Sequence, residues 1–434
     1  MNDIASTDPT IVRGQESRPH QSTRRTVLAG LIGNVMEWFD FAVYGYFARV
    51  IGTQFFPQSS PDTQLLLTFA VFGVGFLGRP IGSLVLGAVG DRIGRRALLV
   101  LSIALMGGAT LLIGLLPTYA AIGIAAPILL VTLRLLQGFS VGGEFTGSMV
   151  YTTEFAPSGR RGLVSSSTAV GTTIGFILGS GCAGLITAML TPEQLAAWGW
   201  RVPFIGSVLF LVVGVLLRRG LLETEEGLQA AARRPALIPS LIADWRPMLQ
   251  TFGILAMTNA AYYLTFTYAV DQRGKGEDAA VFLFATTVTL FAVLFAKLFG
   301  GWLSDHVGRR RLMLVLTLAM LILIVPALQL MLTGSPWQFA IGQVLMAVPT
   351  GMALGMQGAM LVEIFPLRTR VTSMSFAYSM TLALAGGSAP LVSAWLVQRL
   401  GQPLSPAWYI MAYGVVGLTL LWSMKETNNR PLNV

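Results

Sequence analysis

Gly87-Ala-Val-Gly-Asp91-Arg92-Ile-Gly94-Arg95-Arg96 and Gly301-Trp-Leu-Ser-Asp305-His306-Val-Gly308-Arg309-Arg310 are one short polar loop written twice, 214 residues apart. Each sits between two long apolar runs. A second pair follows in the same order: Glu154-Phe-Ala-Pro157-Ser-Gly-Arg160-Arg161 and Glu363-Ile-Phe-Pro366-Leu-Arg368-Thr-Arg370, offset by 209 residues. Two motifs repeated in order at nearly one offset mark a duplicated unit.

The runs around those loops set the size of the unit. Of 434 residues, 54% are hydrophobic and only 11% are charged, against about 25% charged in a soluble domain. Runs lie at roughly 26–53, 63–89, 97–116, 120–146, 164–190, 201–217, 248–270, 279–303, 312–332, 337–361, 371–397 and 406–424. Most hold the about 18 or more apolar residues that a hydrocarbon core of about 30 Å requires. The expected fold class is an all-α membrane protein of twelve transmembrane helices in two pseudo-symmetric six-helix bundles. The bundles are residues 24–217 and 247–424, with a charged central loop at 218–246 and tails at 1–23 and 425–434. The first part of that loop reads equally as a surface amphipathic helix or a plain linker.

The net charge of +9 invites a nucleic-acid reading, but the basic residues lie in the short loops. Of 29 lysines and arginines, 21 fall on the side of the termini, five on the other and three within spans. The positive-inside bias then puts both termini in the cytoplasm. Residues 1–23 have no apolar h-region and read as a tail, not a signal peptide. The single cysteine, Cys182, rules out a disulfide framework, and neither His20 nor His306 lies in a span to relay protons. No phosphate loop, nucleophile–base set or metal-ligand cluster stands out. The expectation is a non-enzyme without a cofactor.

Six ionisable residues fall inside spans: Glu37, Asp40, Arg79, Arg134, Glu144 and Lys297. Each costs about 2.5–3.5 kcal/mol at mid-bilayer even on lenient scales, so such residues are paired or functional. Asn34, Glu37, Asp40 and Tyr44 recur at helical spacing and share one face of span 1, which is expected to point into a central cavity. A carboxyl there, raised by burial and lowered by an arginine, can change protonation as the cavity changes sides. The bland alternative is that Glu37 or Asp40 neutralises Arg134 permanently. Arg134, one turn from Gln137, suits a carboxylate of substrate or protein. Arg79 before Pro80 reads as a kink brace or a substrate contact, Glu144 as a gate, packing or substrate contact, and Lys297 as an anion site or a pairing partner. Asn259, Tyr262 and Tyr263 in span 7 are either helix packing or a wall for a quaternary ammonium group.

The G-x-x-x-D-[RK]-x-G-[RK]-[RK] loop resembles the hallmark of the major facilitator superfamily, and Arg134-Leu-Leu-Gln137-Gly138 resembles its R-x-x-Q-G motif. A narrower resemblance is to the metabolite:proton symporters, which include proline/betaine, ketoglutarate, citrate and shikimate permeases. It rests on Gly33-Asn34-Val-Met-Glu37-Trp38-Phe39-Asp40-Phe41, Gly78-Arg79-Pro80-Ile-Gly82, Gln137-Gly138-Phe-Ser-Val-Gly142-Gly143-Glu144 and Trp198-Gly199-Trp200-Arg201-Val-Pro203-Phe204. Thr258-Asn259-Ala-Ala-Tyr262-Tyr263 and the ending Met424-Lys425-Glu426-Thr427-Asn428-Asn429-Arg430-Pro431-Leu432 are most similar to proline/betaine permeases.

The resemblance implies import of a small polar organic solute, a zwitterion or an organic carboxylate, with protons by alternating access. It implies a bacterial-type inner membrane and a monomer whose partners are solute and bilayer, not nucleic acid. Coupling residues would be Glu37, Asp40 and Arg134. Binding candidates are Asn34, Tyr44, Arg79, Gln137, Glu144, Asn259, Tyr262, Tyr263 and Lys297. The cytoplasmic gate would comprise Gly87, Asp91, Arg92, Gly94, Arg95, Glu154 and Arg160 of the first half, and Gly301, Asp305, Gly308, Arg309, Glu363 and Arg368 of the second. Asp91 and Asp305 would sit at helix N-termini of the opposite bundle.

Two features depart from the pattern. The chain stops at Val434 without the long coiled coil of osmosensing permeases, so osmotic regulation is not expected, and Lys297 stands where the group is usually uncharged. Two rival functions weigh less. An exporter working by proton antiport would carry a proline in the span-5 glycine motif, which here reads Gly171-Thr-Thr-Ile-Gly175-Phe-Ile-Leu-Gly179. A non-transporting nutrient sensor would carry long soluble extensions.

Overall fold

The computed structural model describes residues 23–93, 95–157, 159–219, 237–274, 278–428 and 432. In hydrocarbon a backbone must satisfy its own N–H and C=O groups, and a helix does so within one segment. Among the described residues every long apolar run is helical and no strand occurs. In the first half these are α1 (Thr23–Tyr46), α2 (Pro61–Ile93), α3 (Arg95–Leu115), α4 (Ala125–Glu154), α5 (Arg161–Met189) and α6 (Gly199–Leu217). In the second, α7 starts as Trp245–Tyr263 and continues through Leu264–Tyr268 to Ala269–Arg273. It is followed by α8 (Ala279–Val307), α9 (Arg309–Thr333), α10 (Pro336–Ile364), α11 (Arg370–Leu400) and α12 (Ser405–Ser423).

Nine of these helices are long and apolar enough to cross a membrane on composition alone, among the described residues. The other three are α1, α7 and α12. In α7 and α12 the lower apolarity has a local cause: α7 carries Asn259, Tyr262 and Tyr263, and α12 opens with Ser405, Pro406 and Trp408.

Local breaks modify the simple rods. Span 1 ends at Tyr46 and resumes as a separate short helix, Ala48–Phe55. α4 is interrupted by a turn at 141–143, where Gly142 and Gly143 stand. α7 and α11 each contain a π-helical stretch, Leu264–Tyr268 and Leu382–Gly387. Such widened turns recur at functional sites. The first part of the central loop, expected as a surface helix or linker, lies outside the described residues; its end carries a short helix, Leu237–Ala243.

The two six-helix bundles meet along α5 against α8 and along α2 against α11. Large apolar side chains such as Leu77, Ile81, Phe295, Ile322 and Trp422 stay exposed on the outside, where lipid replaces water. Aromatic rings fill the interior instead. Trp38, Phe72, Phe76, Phe176 and Tyr263 form a continuous cluster between α1, α2, α5 and α7.

Candidate functional site

The acids of α1 are both paired within their own bundle. Asp40 lies 2.5 Å from Arg134 of α4, and neither side chain is exposed. Arg134 also donates to Gln137 at 2.9 Å, and Gln137 donates to Thr110 at 2.7 Å. The guanidinium sits 3.7 Å above the Tyr44 ring, whose hydroxyl donates to the Thr68 carbonyl. Glu37 pairs with Arg79 of α2 at 2.7 Å. Arg79 is wedged among the rings of Trp38, Phe41 and Phe76, 4.6–5.7 Å from their centres. Removing one partner of such a buried pair costs about 3–5 kcal/mol. The shared face of span 1 therefore turns toward α2 and α4, not into the cavity described next, because the desolvated carboxylates find their counter-charges there. Asn34, on the same face, is buried beside Gly171 of α5.

Trp38, next to Glu37, reaches a cavity between the bundles. Its aromatic walls are Trp38, Phe145, Tyr262 and Tyr378, and its polar walls Thr172, Asn259, Gln357 and Lys297. Its volume is about 20 Å³, room for little more than one water molecule in this state. Lys297 is buried, donates to the Ala169 carbonyl at 3.0 Å and to the Thr172 hydroxyl at 2.7 Å, and lies 5.8 Å from the Tyr262 ring centre. Among the described residues it has no acidic partner. Trp38 Nε1, the Tyr262 hydroxyl and Gln357 Oε1 are buried without hydrogen-bond partners. Buried polar atoms are normally satisfied, so these are open valences for a ligand. Tyr263 belongs to the aromatic cluster instead, and Asn259 donates back to the Leu255 carbonyl. The Glu144 side chain lies outside the described residues. Among the described residues no three His, Cys, Asp or Glu side chains gather to hold a metal ion.

On the face that carries the termini, the bundles are locked by charge. Asp305 at the end of α8 accepts from the backbone N–H groups of Gly162 and Leu163 at 2.8 and 2.9 Å, the first turn of α5 in the other bundle. A carboxylate at a helix N-terminus satisfies orphan donors and the helix dipole together. Arg309 pairs with the same carboxylate at 2.8 Å and with Glu363 at 3.3 Å. Gly301 is where the backbones touch: a Cβ there would fall 2.6 Å from the Gly162 carbonyl oxygen. Gly308 turns the chain into α9 with a φ of 103°, a conformation that side chains resist. Arg160 and Arg368, expected in the gate, are exposed. Their neighbours take the role: Arg370 pairs with Glu154 at 2.5 Å, and Arg161 stands 4.0 Å from Glu363. Asp91 lies at the matching end of α2. The side chains of Asp91, Arg92 and Arg95 lie outside the described residues, as do Gly94 and the surroundings of Gly87.

Known proteins match this arrangement in sequence and in fold. A family model described as "Sugar (and other) transporter" matches residues 26–226, and one described as "Major Facilitator Superfamily" matches residues 276–433. The proline/betaine transporter of Salmonella typhimurium is 36% identical over 429 residues, covering 94% of this chain and 85% of its own. The citrate-proton symporter of Klebsiella pneumoniae is 36% identical over 394 residues, covering 89% of this chain and 88% of its own. The chain belongs to the metabolite:proton symporter family of the major facilitator superfamily. The partially occluded, inward-open xylose transporter XylE from E. coli overlays with a TM-score of 0.74 over 94% of this chain and 99% of its own. At 18% identity that likeness establishes the fold alone.

This major facilitator chain is also clasped on the opposite face. Arg49, just after α1, pairs with Asp271 at the end of α7 at 2.8 Å, and Gln398 of α11 donates to the Asp62 carbonyl at 3.1 Å. Both contacts join the two bundles. The bundles are thus tied to each other on both faces. Sequence reasoning did not foresee the Arg49–Asp271 clasp, since neither residue belongs to a repeated motif. It also missed the segment after α12: Glu426 accepts from the Arg309 and Arg310 N–H groups, and Thr427 donates to Glu363 at 2.7 Å. A signal was present in Lys425-Glu426-Thr427, an acidic residue shortly after the last span.

Proposed function

We propose that this chain imports a small, carboxylate-bearing polar solute together with a proton, by alternating access and as a monomer. Proline, betaine and citrate, named for its relatives, all carry a carboxylate. The observation that carries the reading is the Asp40–Arg134 pair, wholly buried in a bundle that walls the central cavity. A proton on Asp40 removes the charge that Arg134 holds, and its loss restores the pair. Coupling requires only that this exchange be favoured differently in the outward-facing and inward-facing states. Glu37 with Arg79 is the second such pair. The excess of arginine on the terminal face supports a cytoplasmic position for that face, in a bacterial-type inner membrane. The Asp305–Arg309–Glu363 cluster, with the Glu154–Arg370 pair, is then the inner gate and Arg49–Asp271 the outer one. The reading involves no catalytic step and no cofactor beyond the coupling proton.

Purified protein in proteoliposomes with an alkaline interior tests it, using radiolabelled proline, betaine and citrate. The expected result is accumulation of at least one solute above equilibrium, abolished by a protonophore. Uptake that merely equilibrates, or export driven by an inward proton gradient, would contradict it.

A further inference from the structure

Arg79 and Arg134 of the first bundle each have their own carboxylate, whereas Lys297 of the second has no acidic partner among the described residues. Arg79 holds Glu37 and Arg134 holds Asp40, whereas Lys297 rests on a carbonyl and a hydroxyl of α5. The described walls of the cavity therefore carry a buried amine with no acidic partner among the described residues. Burying such an amine in its charged form is costly unless something pairs with it.

The aromatic surfaces decide what that partner can carry besides a carboxylate. A ligand cation would seek ring faces. Arg79 already stands over Trp38, and the Lys297 ammonium stands over Tyr262. A second cation placed among these rings would meet a like charge at short range in a poorly screened site. Nor does any acidic side chain line the cavity among the described residues to receive it. The open donors, Trp38 Nε1 and the Tyr262 hydroxyl, likewise suit an anion.

Resting on the symport reading above, we infer that the solute is a net anion. Its carboxylate pairs with Lys297, and an uncharged body packs against Trp38, Phe145, Tyr262 and Tyr378. The ammonium also spans the bundles, from α8 to α5, so a carboxylate that draws it away from Ala169 and Thr172 loosens a tie between them.

Isosteres that differ only in charge test this. Glycine betaine and 3,3-dimethylbutanoate share one shape, as proline and tetrahydrofuran-2-carboxylate nearly do. Calorimetric titration of the detergent-solubilised protein should show each anion binding about tenfold or more tighter than its zwitterion. Lys297→Gln should cost the anions about tenfold or more and bring the two members of a pair close to parity. Lys297→Arg should keep the preference, and the wild-type ratio stands alone if the Gln variant does not fold. Zwitterions binding as tightly as their isosteres would overturn the inference; if a proton gradient still drove their uptake, the symport reading would survive. A protein that neither binds nor accumulates any of the four would defeat both.

Discussion

Asp40 and Lys297 show how far a residue can be read before its partners are known. Six intramembrane charges were legible as a short inventory of functional suspects, because nothing else in a chain with 11% charged residues needs explaining so badly. Their pairing was not legible. Spacing placed Glu37 and Asp40 on one face of α1, but which neighbour met that face depended on how α2 and α4 cross. Two outcomes follow at this scale. Asp40→Asn should abolish gradient-driven accumulation while leaving solute exchange at least partly intact, since exchange needs no net proton movement. Parallel uptake and counterflow assays check this, and an Asp40→Asn protein that still concentrates solute would move the coupling role to Glu37. Lys297→Met removes an unpaired buried charge and should stabilise the protein by about 1–2 kcal/mol while weakening solute binding. A thermal-shift measurement alongside titration separates the two effects. A melting temperature unchanged or lowered in the Met variant would mean that Lys297 is compensated by a group not identified above.

Helices and their ends were read with fewer surprises. All twelve apolar runs correspond to helices, because a membrane leaves the backbone no other open-chain choice. What sequence could not show was where those helices are locally relaxed. The π-helical stretches of α7 and α11 leave no apolar signature, and the break in α4 shows only as two glycines. The gate was half legible. The repeated loop predicted that Asp305 caps a helix of the other bundle, and it does so at Gly162 and Leu163. The choice between nearby arginines depended on where the helices start: Arg161 and Arg370 open α5 and α11 and pair inward, whereas Arg160 and Arg368 lie in the preceding loops and stay exposed. The two clasps should oppose each other. Asp305→Asn should favour the state open on the terminal face, and Arg49→Ala the state open on the other. Pulsed electron–electron distance measurements between spin labels at the ends of α4 and α10 would show the two shifts with opposite sign. For Glu154 and Arg370, a double-mutant cycle on the conformational equilibrium should give a coupling of about 0.5–3 kcal/mol. A zero coupling would reduce that contact to a solvated ion pair.

For the molecule as a whole, duplication was the most legible feature and solute identity the least. A loop repeated at offset 214 settles that two like units exist. The cavity, by contrast, is assembled from one or two residues on each of α1, α4, α5, α7, α8, α10 and α11, of which only Asn259 and Tyr262 stand together in a segment that sequence singled out. Trp38, Thr172, Gln357 and Tyr378 became binding residues only once the bundles were placed together. The assembled picture is a state tied on both faces, around a site whose Lys297 has no acidic partner among the described residues. Its central claim is that solute and proton move together in one direction. Proteoliposomes loaded with the pH-sensitive dye pyranine, with no imposed gradient, test that claim most directly when a transported carboxylate is added outside. The account predicts that the lumen acidifies as the solute enters, and that Asp40→Asn abolishes the signal. Solute entry with a steady or rising internal pH would contradict it.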